Sequence, residues 1–546
     1  MPARTHEWIA HALEVEGVDR VFGYMAEDNI HLMLSLDRAG IGVVQTRHEL
    51  AATGMADGFA RATGRLAVCS VGGGPGVAQT GTSLVTMRKK RSPVLLLVPE
   101  PSHPLKGFRQ TEYLESTVER VVSATDADDL PAKLVRALEL TESGPVAVQV
   151  PHVVLDGPGP QDQYQERDGI VSGREPAVPD GAAIEEMAAL VLGVDRPPVL
   201  LAGAGAVRAG ARDDLVRLAE RTGCLLATTL QARGLFDGHP RDLGLVGTLG
   251  SELSAEVLSQ AQCVLAVGSS LNPFTTGRGG LFKSARVVQV DACAESIGAT
   301  QPVDVGIVGD ARRVVGDLHR LLDRLEFDPV QLPVSRRAWI EEIERRIANP
   351  ARLEWGSPAE SRSGLDPRLV VQRLEQVLPD NRVLISDAGH FMRWVVQGLT
   401  VRDPLDFVWT ADFASIGQGL AIAAGVALGR RERPCVCIAG DGGFSMAIHE
   451  LATLVRYRIP LTVIVWNDSA LGSEYQMLSR DGESPSMAMI PNPPFADVAR
   501  AFGGRGLTVD SLAGLDALPE LIQIGEGLPI VVDVEIDRDV RHPDLG

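Results

Sequence analysis

The chain has 546 residues, 45% hydrophobic and 23% charged, which describes a folded globular protein too long for one core and excludes a disordered one. A formal net charge of −19 excludes a nucleic-acid footprint, which needs a basic face. The six cysteines include no C-x-x-C pair and lie mostly in apolar runs, so free buried thiols are expected. The N-terminal stretch lacks an apolar signal core, and no run reaches the roughly 18 apolar residues of a membrane span, so a cytoplasmic protein is expected.

Strand-like apolar runs alternate with helix-like stretches from end to end. Examples in chain order are "LAVCSV", "PVLLLVPE", "PVAVQVP", "PPVLLAGAG", "CVLAVGS", "RVVQVDA", "RVLISDAG", "PCVCIAG", "PLTVIVWND" and "PIVVDVEID". Several are apolar on both faces, the pattern of parallel strands covered by helices. An α/β chain with several doubly wound, mainly parallel sheets follows. Segments 158–181 and 345–367, rich in Pro, Gly and charge, read as linkers. They divide the chain into domains at 1–160, 182–340 and 365–540.

In the first block, "FGYMAEDNIH" (22–31) places Glu27 in a turn, where an acid at a helix start is ordinary. "QTRHELAATGMADGFARATGR" (45–65) opens a helix with Glu49, and its small residues Ala51, Ala52, Gly54 and Ala56 allow close packing. A glutamate there also suits the helix dipole without further purpose. "VCSVGGGPGVAQT" (68–80) is a glycine-rich turn without histidine, and "RKKR" (88–91) reads as a solvated loop. In the second block, the turn in "LLAGAGAVRAGA" (200–211) is weak evidence for a nucleotide, since glycine serves helix–strand packing anyway.

The third block carries the most specific pattern. "PCVCIAG" is a strand ending at Gly440, "FSMAIHELATLVRYR" a helix with basic residues near its end, and "PLTVIVW" the next strand. A β-α-β unit sets its strands parallel, so Asp441 and the pair Asn467–Asp468 emerge on one edge. Oxygen donors without a Cys or His cluster point to Mg²⁺ or Ca²⁺. Gly442 and Gly443 open the helix, where bare N–H groups favour phosphate. Metal and phosphate at the carboxyl edge of an open sheet imply a diphosphate cofactor.

These motifs resemble the thiamine diphosphate (ThDP) enzymes, whose shared pattern is G-D-G followed some two dozen residues later by N-N or N-D. The resemblance runs through nearly the whole chain, in the order pyrimidine-binding, central and diphosphate-binding domain. It implies that Asp441, Asp468 and the Ala470 carbonyl hold Mg²⁺, with Asn467 the alternative ligand of the pair. Gly440, Gly442, Gly443, Leu471 and Gly472 complete the cofactor contacts of that motif. "SDAGHFMRW" (386–394) resembles the loop on the diphosphate, placing Ala388, Gly389, His390 and Phe391 there. "TADFASIGQGLAIAAG" (410–425) resembles the segment that bends the cofactor, with Ile416 as wedge and the Ala414 carbonyl accepting from the 4′-amino group. Glu49 takes the place of the glutamate that activates the aminopyrimidine, and the Gly-Pro-Gly turn lies beside that ring. The family's glutamate reaches a cofactor held by the partner subunit, so a homodimer or homotetramer with interfacial sites is implied.

The resemblance implies a transferase or lyase acting on 2-oxo acids. Dedicated decarboxylases carry adjacent histidines, and "VGGGPG" has none. The expected activity is therefore carboligation of the acetolactate synthase type, in which a 2-oxo acid such as pyruvate loses carbon dioxide and its acyl fragment joins a carbonyl acceptor. Glu27, near a position where decarboxylases place an acid, keeps open a decarboxylase or aldehyde lyase of the benzoylformate decarboxylase or benzaldehyde lyase kind. FAD in the central domain, as in pyruvate oxidase, is the third reading. No nucleic acid or membrane partner is expected.

Overall fold

A computed structural model describes residues 4–101, 103–161, 164, 178–349, 364–523 and 527–542. The chain divides into two compact units, one formed by residues 1–173, 358–395 and 408–546, the other by 174–357 and 396–407. Both expected linkers lie largely outside the described residues; the helix Val334–Ala348 continues order past residue 340.

Three six-stranded sheets make the frame. The first comprises β1 (Arg20–Gly23), β2 (Gly42–Gln45), β3 (Ala67–Ser70), β4 (Val94–Pro99), β5 (Arg120–Ser123) and β6 (Val146–Val150), in the order β2-β1-β3-β4-β6-β5. The second comprises β7 (Val199–Ala202), β8 (Leu225–Thr228), β9 (Asp242–Leu245), β10 (Cys263–Val267), β11 (Arg286–Asp291) and β12 (Val305–Val308), in the order β12-β11-β10-β7-β8-β9. The third comprises β13 (Val383–Ser386), β14 (Phe407–Trp409), β15 (Cys435–Gly440), β16 (Leu461–Asn467), β17 (Arg505–Val509) and β18 (Ile530–Glu535), in the order β14-β13-β15-β16-β18-β17. Parallel pairing sets the carboxyl ends of neighbouring strands on one edge, and the doubly apolar runs lie in the buried interiors of these sheets.

In the first unit, one apolar core serves the first and third sheets together. Its seam is the helix Glu49–Thr63 against the helix Gly419–Gly429. His48 caps the first by accepting the Leu50 N–H, and Gly64 ends it at φ 66°. The small residues noted in the sequence let the two backbones touch. A Cβ at Gly58 would stand 2.0 Å from the Ile422 carbonyl oxygen, and one at Gly425 the same distance from that of Met55. Gly58→Ala is therefore expected to destabilise the protein by about 1–3 kcal/mol, the cost of overpacking a tight core. An unchanged denaturant midpoint would refute the close seam. Arg61, on the same helix, lies between Asp57 (2.7 Å) and Asp412 (2.8 Å). Burial alone would lower its pKa, but the two carboxylates hold it well above the ordinary value.

In the second unit, Arg336 of the helix Val334–Ala348 is wholly buried and donates to the carbonyls of Val191, Leu192 and Thr222. It thereby satisfies orphan carbonyls at the ends of the helices Gly181–Leu192 and Arg212–Thr222. The "RKKR" segment closes the helix Gly81–Lys90 as its basic last turn and is not a loop. Among the described residues no helix is long and apolar enough to cross a membrane.

Candidate active site

At the carboxyl edge of the third sheet, β15 and β16 are direct neighbours with Gly440 opposite Trp466. Asp441 and Asn467–Asp468 consequently leave the sheet together. Asp441 Oδ1 accepts the Gly442 N–H at 2.8 Å, and its Oδ2 accepts Asn492 Nδ2 at 2.6 Å. Asn467 is committed elsewhere: its Nδ2 donates to Asp533 at 2.8 Å, while its Oδ1 accepts the Ser469 N–H and Asn492 Nδ2, each at 3.2 Å. Asp468 Oδ1 accepts the Ala470 N–H at 3.1 Å, whereas its Oδ2 is buried and accepts no hydrogen bond. Burial, and then the neighbouring Asp441, push the Asp468 carboxyl up to about 7.

Two buried carboxyls that repel each other, with one oxygen left orphaned, form a donor set that a hard cation suits. Among the described residues no group of three or more His, Cys, Asp or Glu side chains gathers, so any further ligands would be neutral oxygens. The expected single helix after Gly440 is broken into Asp441–Ala447, a 3₁₀ turn Ile448–Glu450 and Leu451–Arg456. That tighter turn carries Glu450, whose fully buried carboxylate accepts the Arg47 N–H at 2.9 Å and the Thr453 hydroxyl at 2.6 Å.

The loop after β13 borders the pair. His390 Nε2 lies 3.3 Å from Asp468 Oδ2, and burial pushes its imidazole down to about 4, so a neutral ring faces the carboxyl. Gly472 must be glycine, since a Cβ would stand 2.1 Å from the His390 ring and 2.6 Å from Asp468 Oδ2. Gly389, at φ 156°, packs flat on the Phe391 ring. Phe391 itself is buried against Trp466, so its side chain is a floor beneath the site and only its backbone could meet a ligand. Leu471 approaches Gly442, and Ile416 approaches Gly443. Ala414 takes a left-handed φ of 55°. Asp387, which has no role in the motifs, binds this segment to the rest. Its carboxylate accepts the Ala388 and Gly417 N–H groups (2.9 and 3.1 Å) and the Thr410 hydroxyl (3.0 Å).

Glu49 and Glu27 belong to the carboxyl edge of the first sheet instead. The Glu49 side chain, 17% exposed, lies against the Gly-Pro-Gly turn: a Cβ on Gly76 would stand 3.4 Å from its Oε1. Glu27, 86% exposed, pairs with Lys106 at 3.6 Å. The turn between them leaves no space for larger residues. A Cβ on Gly72 would stand 2.6 Å from Ala26 Cβ, and one on Gly73 2.5 Å from the Pro99 carbonyl.

Sequence models of the thiamine pyrophosphate enzymes match all three blocks. The N-terminal TPP binding domain matches residues 3–121, the central domain 184–318 and the C-terminal TPP binding domain 387–534. A protein of Mycobacterium tuberculosis, whose name assigns it provisionally to acetolactate synthase large subunits, is 30% identical over 544 residues, 95% of each chain. The chain belongs to the thiamine pyrophosphate enzyme family.

The sulfoacetaldehyde acetyltransferase of Castellaniella defragrans is 27% identical over 98% of this chain and 94% of its own. The acetolactate synthase isozyme 3 large subunit of Escherichia coli is also 27% identical, over 97% of this chain and 94% of its own. Within this thiamine pyrophosphate enzyme, Glu27, Glu49 and the Gly-Pro-Gly turn fall in the N-terminal TPP binding domain, and the Asp441–Asp468 cluster in the C-terminal one. In the central domain, the Gly203 and Gly205 N–H groups already bond the Val267 and Gly268 carbonyls at 2.9 Å. Those amides are therefore not open to a phosphate.

Proposed function

We propose that this enzyme is a ThDP- and Mg²⁺-dependent carboligase of the acetolactate synthase type, releasing carbon dioxide from a 2-oxo acid such as pyruvate and joining the acyl fragment to a carbonyl acceptor. The observation that carries the choice of ligation is the crowded turn at Gly72–Gly73, which has no room for proton-shuttling histidines beside the pyrimidine. The names of the acetolactate synthase and acetyltransferase relatives, both acyl-transfer activities, support the same reading.

Asp441, Asp468 and the Ala470 carbonyl would hold the cation. Asp468 is the better ligand of its pair, because the Asn467 amide is already engaged on both sides. His390, Gly472, Ala388 and Gly389 would line the diphosphate, and Ile416 with the Ala414 carbonyl would set the cofactor's bend. When bound, ThDP supplies a nucleophilic carbon that adds to the substrate carbonyl and takes up the electrons of the breaking C–C bond. Glu49 would hold a proton at the aminopyrimidine ring nitrogen, screened from bulk water by the glycine turn. The Gly203 and Gly205 amides of the central domain, already bonded to carbonyls, lend a flavin reading no support.

Supplying the protein with ThDP, Mg²⁺ and 2-oxo acids, singly and paired with aldehydes, should yield carbon dioxide and a hydroxyketone by mass spectrometry. Free aldehyde alone would favour the second reading, a decarboxylase using Glu27, whose exposure at the first-sheet edge suits a proton donor. Glu27→Gln would then abolish turnover. We further propose that each site takes Glu49 from one chain and Asp468 from another. Mixing inactive Glu49→Gln and Asp468→Ala chains would then restore about a quarter of wild-type activity, the share statistical assembly of a two-fold dimer allows. No recovery after verified subunit exchange would place both residues in one chain's site.

A further inference from the structure

Beside Glu27 stands a carboxylate that the reading above does not use. Asp28 has a fully buried side chain, and neither of its oxygens accepts a hydrogen bond. It is held there by its turn. Asn29, also buried, accepts the Ala26 N–H at 2.8 Å and donates to the Tyr24 carbonyl and to the Ser70 hydroxyl of β3. The Gly72 backbone closes the other side, where a Cβ would stand 2.9 Å from Asp28 Oδ1. A buried carboxylate without hydrogen bonds needs a counter-charge. The charge present is the Lys106 ammonium, 3.6 Å from Asp28 and equally far from Glu27.

Lys106 comes from the loop after β4. Its carbonyl presses on Gly74, where a Cβ would stand 2.4 Å away, and the Gln110 side chain accepts the Gly74 N–H at 2.7 Å. Loops after β1, β3 and β4 therefore converge, and Lys106 and Glu49 flank a single Gly-Pro-Gly turn. The two partners of Lys106 are unequal. Asp28 is inaccessible and anchors the ammonium inward. Glu27 is 86% exposed, so its pairing is screened and weak, and a ligand anion can take its place. Lys106 remains 28% exposed, open to such a ligand.

We propose that Lys106, tethered by Asp28, holds the charged group of an anionic carbonyl acceptor; this rests on the carboligase reading of the same site. The donor's own carboxylate is the poorer candidate. A cation fixed on a group about to leave as carbon dioxide would stabilise the ground state more than the transition state and slow its loss. An acceptor keeps its carboxylate or sulfonate throughout the bond-forming step. The site is accordingly suited to 2-oxo acids or sulfonated aldehydes as acceptors, in preference to neutral aldehydes.

The test uses the full-length protein with ThDP, Mg²⁺ and carbon-13-labelled pyruvate as donor. Its acceptors, 2-oxobutyrate and propanal, differ only by a carboxylate. In Lys106→Gln the ratio of kcat/KM for 2-oxobutyrate to that for propanal should fall at least about tenfold, the discrimination a charged hydrogen bond supplies, mainly through KM. Lys106→Arg should stay near the wild-type ratio, and Asp28→Asn should lower it in the same direction. If the wild type ligates both acceptors and Lys106→Gln leaves the ratio unmoved, the role of Lys106 is overturned. An effect of Lys106→Gln that Asp28→Asn does not share overturns the tether. If the wild type ligates propanal but not 2-oxobutyrate, the acceptor assignment is overturned; if it ligates neither of these nor a sulfonated aldehyde, the carboligase reading itself has failed, and the acceptor assignment falls with it.

Discussion

Glu49→Gln is expected to lower kcat by roughly 10²–10⁴-fold, the range that a positioned acid or base contributes, while leaving the fold intact. The substitution keeps the size and polarity of the side chain and removes only its ability to ionise and exchange a proton. Glu49 opens the helix Glu49–Thr63, where an acid is also favoured by the helix dipole. That alternative makes a different prediction: a loss of about 0.3–1 kcal/mol in stability with catalysis nearly unchanged. Carbon dioxide release and a denaturant midpoint, measured on the same preparation, separate the two. A shifted midpoint with kcat within about threefold of wild type would assign Glu49 to the helix end, since a merely dipolar role is not asked to supply catalytic acceleration.

The ten apolar runs legible in the sequence become ten interior strands, and none is one of the six edge strands β2, β5, β9, β12, β14 and β17. The reason is burial. An interior parallel strand such as β6 is covered on both faces and reads as a continuous apolar run. The edge strands β2 and β5 are four residues long and half-exposed, so their patterns merge with those of the adjacent turns. The interior strands β1 and β8 are not among these runs, and length does not set them apart, since β3, β7 and β13 are equally short.

The same contrast holds at the site. Asp441 and Asp468 were legible as neighbours because one β-α-β unit dictates which edge they share. Asn492, which fixes Asp441 from 51 residues away, and Asp387, which joins the loops around Ile416, carry no local signature. Their importance arises from hydrogen bonds that only the folded chain creates. The single helix expected after Gly440 failed for a related reason, since the break carries Glu450, whose buried carboxylate serves the distant Arg47 backbone.

Asp468 should respond differently to alanine and to asparagine. Alanine removes the orphaned oxygen, so Asp468→Ala is expected to lose the Mg²⁺- and ThDP-dependent rise in thermal stability. That rise corresponds to about 2.7 kcal/mol when ligand is at a hundredfold excess over Kd, and activity should disappear with it. Asparagine keeps an oxygen donor and removes a charge that the metal-free protein holds at a cost. In that protein the Asp468 carboxyl is raised to about 7 by burial and by Asp441, above its unfolded value. Between about pH 4 and 7 the unfolded chain therefore binds fewer protons than the folded one, and stability falls as pH rises through that window, levelling above it. Asp468→Asn should remove this slope and stabilise the metal-free protein above pH 7 by an amount on the order of 1–3 kcal/mol. Mg²⁺ competes with the same proton, so its affinity for the wild type should increase up to about pH 7 and for Asp468→Asn should vary less. Metal-free melting curves and Mg²⁺ titrations at several pH values test both statements. Identical slopes in the two proteins would mean that Asp468 is not the group titrating, and the repulsion between the paired carboxyls would have to be relieved in some other way.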